Sequence, residues 1–262
     1  MIECLLPRSK RYGWQPDLPD YRDFQYGALR LQLEVPGRLP EKKDLRDVWM
    51  PLPYDQGKLG SCTANALGGA LAYEHHKAGL GRLMPSRLFI YYGERVIEVT
   101  IQSDAGAQLR DGIKVVAALG APPEKLWPYD LTKFARKPPQ KVYKAALEHR
   151  AVIYYRVEQT RLRELLGCLA SGFPFLFGFT VYDGFESSKV VRTGVLDLPK
   201  PGERVLGGHA VLAVGYNQET KRFLIRNSYG ASWGRKGYFS MPFDYLLDSD
   251  LAADFWTIRA VI

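Results

Sequence analysis

Cys62 lies in the stretch QGKLGSCTAN, between a glycine-containing turn and an apparently helical run of small residues. A cysteine attacks as its thiolate, but a free thiol with a pKa of about 8.5 is only slightly ionised at neutral pH. The unpaired N–H groups and the dipole at a helix N-terminus favour a negative charge there. Gly57 and Gly60 would let the preceding backbone turn tightly and approach a bound chain. Cys62 is therefore a candidate nucleophile, and a buried inert thiol is the alternative.

The other two cysteines are not expected to take part in this chemistry. Three cysteines without a CxxC spacing predict neither a disulfide framework nor a zinc site. Cys168 lies in RLRELLGCLASG, where leucines recur at helical spacing, which predicts a buried and unreactive thiol. Cys4 lies close to the N-terminus. We expect no metal and no cofactor.

A thiolate also needs an imidazole partner, which stabilises it as an ion pair and later protonates the leaving group. His209 is the candidate because it opens the apolar run HAVLAVGY directly after two glycines. Asn227 follows in FLIRNSYGASWG, at the end of another predicted strand, where its amide can orient the imidazole. Considered alone, a histidine or an asparagine at such a position has a structural role as readily as a catalytic one. The remaining histidines are expected at the surface: His75, His76 and His149.

Together, three stretches between about Leu45 and Tyr245 resemble the papain-like cysteine peptidases, the C1 family. DQGKLGSC is similar to the nucleophile motif of that family, HAVLAVGY to its histidine strand, and IRNSYGASWGRKGYF to its asparagine segment. Three motifs in the right order are more specific than any one alone. The pattern is closest to that of bacterial members.

The resemblance implies a thiol endopeptidase acting on polypeptides through a thioester acyl-enzyme. Cys62 would be the nucleophile, His209 the general base and acid, and Asn227 the residue that orients the imidazole. Gln56 would donate to the oxyanion together with the backbone N–H of Cys62. Trp233 would shield the histidine–asparagine hydrogen bond at the edge of the substrate site.

Small residues are expected to form the substrate groove that the resemblance implies. Ala105 and Gly106 would line its non-primed side, and Gly178, Gly208 and Ala210 would shape a roomy apolar second subsite. A turn or close packing is an equally good reason for each glycine.

Three departures from the family pattern concern the compartment rather than the chemistry. Leu59 stands where relatives have a cysteine, Thr63 follows the nucleophile in place of tryptophan, and Tyr229 replaces a second tryptophan. The missing disulfide is typical of a reducing compartment. The N-terminal sequence lacks a signal-peptide pattern, so localisation is left open between the cytoplasm and a specialised export route.

The elements that must position these residues form an α+β arrangement. Helical periodicity extends through the first part of the chain, and aromatic, β-branched runs separated by turn residues dominate the second. We predict an extended arm over 1–40, either inhibitory as in a zymogen or a structural brace, and a peptidase domain over 41–262. The resemblance implies a helical lobe (41–150), a β-barrel-like antiparallel lobe (151–262) and an active site in the cleft between them.

Composition excludes several other classes of protein. The chain has 262 residues and a net charge of +8, but its basic residues are dispersed and no nucleic-acid-binding motif occurs. The chain has no run of about 20 apolar residues, so no membrane-spanning helix is predicted. We expect a monomer. Two alternatives stay open: a peptidase restricted to exo-, isopeptide or transferase activity, and a catalytically idle papain-like fold that serves as a binding module.

Overall fold

A computed structural model describes residues 12–23 and 37–262 of the chain. Its α-helices are α1 (Cys62–Lys77), α2 (Arg87–Ile97), α3 (Leu109–Ala118), α4 (Gln140–Ala146), α5 (Leu162–Ala170), α6 (Ser188–Thr193) and α7 (Phe243–Leu247). Its strands are β1 (Trp14–Gln15), β2 (Lys42–Asp44), β3 (Ala107–Gln108), β4 (Ala151–Arg156), β5 (Phe175–Tyr182), β6 (Val205–Asn217), β7 (Arg222–Arg226), β8 (Tyr238–Pro242) and β9 (Ala252–Val261). Cys4, named above, lies outside the described residues.

An antiparallel sheet forms the second half of the molecule, in the order β4-β9-β5-β6-β7-β8. β2 adds to the same sheet by pairing with the far end of β6. The α+β class is thus confirmed, but the barrel-like closure was wrong. Within residues 37–262 the outer strands β4 and β8 do not pair with each other, because the outer edge of β8 is bonded elsewhere. The Ser240 N–H donates to the Gly194 carbonyl at 2.7 Å, and the Ser240 carbonyl accepts the Leu196 N–H at 3.0 Å.

Helix α1 lies against this sheet, and its middle is packed closely enough to require small residues. A Cβ on Gly69 would come within 3.1 Å of the Arg226 side chain, and one on Gly68 within 3.2 Å of the Arg87 side chain. Each glycine costs about 1 kcal/mol of helix propensity relative to alanine. The two glycines thus let α1 pack closely against the sheet on one side and against α2 on the other.

The core of the sheet side is aromatic. Phe177 of β5 stacks on Phe255 of β9 at 5.2 Å between ring centroids, and Phe175 and Phe179 continue the row. The helical first part and the strand-rich second part that were predicted from periodicity are confirmed by α1 to α3 and by β5 to β9. The short elements were not predicted, among them α4, α6, α7 and β1 to β4. Among the described residues, no helix is long and apolar enough to cross a bilayer.

Candidate active site

Cys62 is the first residue of α1 and is fully buried. The loop before it is fixed by Asp104, whose carboxylate accepts the Gly60 N–H at 2.9 Å. Ser61, just before the helix, shares a hydrogen bond of 2.5 Å with the hydroxyl of Tyr129. The sulfur is therefore held in place by the helix and by a loop that is tied at two points.

His209 and Asn227 come together from adjacent strands. The Nε2 atom of His209, on β6, lies 2.9 Å from Oδ1 of Asn227, which follows the end of β7. The Asn227 oxygen also accepts the Ser228 N–H at 2.8 Å, so Nε2 of His209 is the protonated nitrogen and Nδ1 is the one able to take a proton. The backbone of Ala210, next to His209, hydrogen-bonds the Cys62 sulfur. The Cys62 sulfur thus lies beside the strand that carries the imidazole of the histidine–asparagine pair.

Gln56 is buried beside this group. Its side-chain N–H donates to the Leu59 carbonyl at 2.9 Å, and its Oε1 accepts from the Ser228 hydroxyl at 2.6 Å. The backbone N–H of Gln56 also donates to the Ser228 carbonyl at 2.9 Å. These bonds fix the amide in the loop before Cys62 and connect that loop to the residue after Asn227.

Burial raises the pKa of the Cys62 thiol to about 11. Hydrogen bonds from the backbone of Ala210 and Gly13 oppose this shift, and nearby Glu94 adds to it. Burial also holds the pKa of the Glu94 carboxyl well above its usual value, although this carboxyl accepts a hydrogen bond from Thr63 at 2.9 Å. The helix N-terminus was expected to favour a thiolate, but in this conformation desolvation outweighs it and the thiol is neutral.

Aromatic rings enclose the imidazole. Tyr229 lies against His209 at 5.0 Å between ring centroids, and Phe179 and Phe185 approach it at 5.8 and 6.1 Å. Trp233 contacts Tyr229 at 5.6 Å, which places it one ring further out. The shielding role of Trp233 stays a prediction. In the sequence analysis Tyr229 was named only as the replacement of a tryptophan, and its contact with the imidazole was not predicted.

Residues 12–23 of the N-terminal arm lie across Cys62, and we call this segment the arm. Gly13 hydrogen-bonds the sulfur through its backbone, and its carbonyl accepts the Ala107 N–H at 2.7 Å. Strand β1 continues from there parallel to β3. The Gln15 side chain donates to the Ala105 carbonyl at 2.6 Å. The arm therefore covers the sulfur and the edge formed by Ala105 and Gly106.

Trp14 of the arm fills a pocket next to Cys62. A Cβ on Gly178 would lie 1.9 Å from the indole ring, and one on Gly208 would lie 2.6 Å from it. The indole N–H donates to Oδ2 of Asp254 at 3.1 Å. The glycines expected to shape a roomy pocket thus face an indole, and Asp254 is a pocket residue that the sequence analysis missed.

The other histidines differ from expectation. His75 is buried rather than exposed, because its Nδ1 lies 3.2 Å from the Gly81 carbonyl and its Nε2 lies 3.2 Å from Nδ1 of His149. Cys168 is buried as predicted. Residues 12–23 and 37–262 contain no group of three or more histidine, cysteine, aspartate or glutamate side chains that could hold a metal ion.

A cysteine at a helix N-terminus beside a strand that carries an imidazole bonded to an amide supplies the groups that thiol-dependent acyl transfer uses. Residues 39–246 match the family model described as papain family cysteine protease. Because this match covers more than half of the chain, the chain belongs to the papain family of cysteine proteases. The family resemblance inferred from the three motifs is confirmed.

Three proteins show how far this similarity extends. An uncharacterized peptidase C1-like protein of Acanthamoeba polyphaga mimivirus is 46% identical, over 97% of this chain and 88% of its own. The crystal structure of xylellain, a cysteine protease from Xylella fastidiosa, matches with a TM-score of 0.87 and 42% identity, over 99% of this chain and 100% of that chain. Cysteine proteinase 3 of Solanum lycopersicum is 30% identical, over 82% of this chain and 58% of its own.

Proposed function

We propose that this cysteine peptidase cleaves peptide bonds by attack of Cys62 on the scissile carbonyl, and that its arm holds it latent. The observation that carries the catalytic part is that His209, bonded to Asn227 at 2.9 Å, is the neighbour in β6 of Ala210, whose backbone hydrogen-bonds the Cys62 sulfur. The observation that supports latency is the arm lying on that same sulfur.

The proposed reaction proceeds through a thioester. Nδ1 of His209 takes the thiol proton, the sulfur adds to the carbonyl carbon, and the imidazolium returns the proton to the departing amine. Asn227 keeps the protonated Nε2 oriented throughout. Gln56 and the Cys62 N–H donate to the oxyanion. Water then attacks the thioester with His209 as base, releasing the acid and regenerating the thiol.

The direction of the arm supports inhibition rather than cleavage of the arm. From Gly13 at the sulfur, the chain enters the pocket with Trp14, the next residue toward the C-terminus. A substrate would enter a non-primed pocket with residues N-terminal to the attacked carbonyl, so the arm runs the opposite way. The Gly13 carbonyl is also bonded to Ala107 at 2.7 Å instead of facing Gln56.

Labelling of Cys62 tests the catalytic part. An epoxide or vinyl-sulfone thiol reagent should modify the full chain once, at Cys62, and the modification should be absent in Cys62→Ala. The label is located by mass spectrometry of peptides, with Cys168 in the same sample as the internal control, because that thiol is buried in α5.

Hydrolysis of a peptide library by the same chain separates the peptidase from the idle binding module. Turnover that is lost in Cys62→Ala and in His209→Ala supports the mechanism. Turnover unchanged in either variant contradicts the role given to that residue, and absence of both label and turnover in a chain whose arm has been displaced favours the binding module.

A further inference from the structure

The pocket beside Cys62 ends in a carboxylate that the arm engages in a specific way. Asp254 is almost fully buried, and its Oδ2 accepts two hydrogen bonds from the arm, from the Trp14 indole at 3.1 Å and the Asp17 backbone N–H at 2.8 Å. Its Oδ1 accepts from Arg156 at 2.9 Å. Oδ1 is thus bonded to Arg156 outside the arm, and Oδ2 is bonded to the arm residues that fill the pocket.

Local backbone geometry turns this side chain into the pocket. Between β5 and β9 the pairing shifts register from Leu176↔Trp256 to Gly178↔Ala253, so β9 has one residue more than β5 in this interval. Asp254 lies within the shift and has φ +60°, which is uncommon for a residue other than glycine. Bulges of this kind redirect side chains near functional sites, and strain at such a residue persists where the surrounding structure fixes it.

Departure of the arm would remove both partners of Oδ2. Among the described residues, the bonded partner left to this carboxylate is then Arg156, on the other oxygen. A carboxylate oxygen at the end of a pocket must regain a donor, because a desolvated acceptor without one is costly. A substrate side chain that reaches it and carries an N–H group is favoured over one of the same shape without it.

The charges around the pocket disfavour a cationic side chain in this position. The arm contributes the carboxylates of Asp17 and Asp23, which pair with Arg156 at 3.1 Å and Arg110 at 2.8 Å. When the arm leaves, Arg110 and Arg156 lose the carboxylates of Asp17 and Asp23, and Asp254 stays bonded to Arg156. The local charge then becomes more positive, which disfavours a lysine or arginine side chain in the pocket.

We infer that Asp254 is a specificity-determining residue that selects tryptophan, through its indole N–H, at the second position before the cleaved bond. The pocket walls at Gly178 and Gly208 leave room for an indole, as Trp14 demonstrates from within the same chain. This inference rests on the proposed function, because it requires that substrates use the pocket that the arm occupies.

Two peptidyl vinyl sulfones that differ by one group test it. One carries tryptophan at the pocket position and the other 3-benzothienylalanine, in which sulfur replaces the indole N–H. The second-order rate constant for modification of Cys62 is measured with each reagent on the full chain. Arm docking slows both reactions equally, so their ratio reports the pocket alone. A hydrogen bond to a charged acceptor predicts a ratio of about 10 or more in favour of tryptophan.

Asp254→Asn is the matched variant, because asparagine keeps the size and tolerates a positive φ. With its single oxygen drawn to Arg156, the amide would turn its NH₂ toward the pocket, and the ratio should fall to about 1. Circular dichroism and the melting temperature establish that the variant is folded. If it is not folded, the ratio in the unaltered chain still decides the question.

The inference is overturned by a ratio of 1 in the unaltered chain, by a ratio that survives Asp254→Asn, or by faster reaction of a lysine or arginine analogue. These outcomes differ from failure of the proposed function. If the proposed function itself fails, a short vinyl sulfone without a pocket side chain would also leave Cys62 unmodified in a chain with a displaced arm.

Discussion

Replacing Gly13 by alanine should release the arm from the active site. A Cβ at this position would lie 1.8 Å from the Gly60 carbonyl oxygen, 2.4 Å from its carbon and 2.7 Å from its Cα. All three contacts are with backbone atoms, so no change of rotamer relieves them. The backbone of Gly13 does not lie in the left-handed region, and the substitution therefore acts through this clash alone.

The clash is large enough to shift the docking equilibrium. Overpacking a well-packed site costs about 1–3 kcal/mol even where side chains can adjust. At about 1.4 kcal/mol for each factor of ten, docking should weaken between about 5-fold and 150-fold. Because the overlap is with the fixed loop before Cys62, we expect a value toward the upper end.

Turnover of a fluorogenic peptide and labelling of Cys62 by a vinyl sulfone measure the effect on the full chain. Gly13→Ala should raise both rates by about tenfold or more under conditions where the unaltered chain is latent. Gly37→Ala is the matched control, since a Cβ at Gly37 meets no atom within 4 Å. Rates that are the same in the two variants and in the unaltered chain would refute latency by the arm.

Three further predictions concern chemistry and stability. Because burial raises the pKa of Cys62 to about 11, the rate of Cys62 alkylation by iodoacetamide in the unaltered chain should rise with each pH unit and not level off below about pH 10. Cys62 of Gly13→Ala should react near neutral pH. A plateau of the rate near pH 7 in the unaltered chain would contradict the raised pKa. In the Gly13→Ala background, Gln56→Ala should lower kcat by about 100- to 1,000-fold, and an unchanged kcat would remove Gln56 from the oxyanion site. Phe177→Ala, in the fully buried aromatic row, should lower the free energy of unfolding by about 3–5 kcal/mol in denaturant titrations, and a loss below about 1 kcal/mol would show that the row is not the core.

The sequence by itself was sufficient for the chemical groups and the main elements. Cys62, His209, Asn227 and Gln56 stand in short motifs that resemble those of the family to which the chain belongs, and such motifs can be recognised without coordinates. Of the main elements, α2 was predicted from its strong helical periodicity and β6 from its nearly continuous apolar run. Short elements such as α6 and α7 carry too few residues for a period to show.

Only the tertiary structure decided where the arm lies and what fills the pocket. Trp14 and Asp254 are separated by almost the whole chain, and no local pattern links an indole to a carboxylate at that distance. The turn of Asp254 into the pocket depends on a register shift between β5 and β9, which is a property of strand pairing rather than of either strand. The neutral state of Cys62 likewise follows from burial under the arm, because desolvation depends on what surrounds a group and not on its neighbours in sequence.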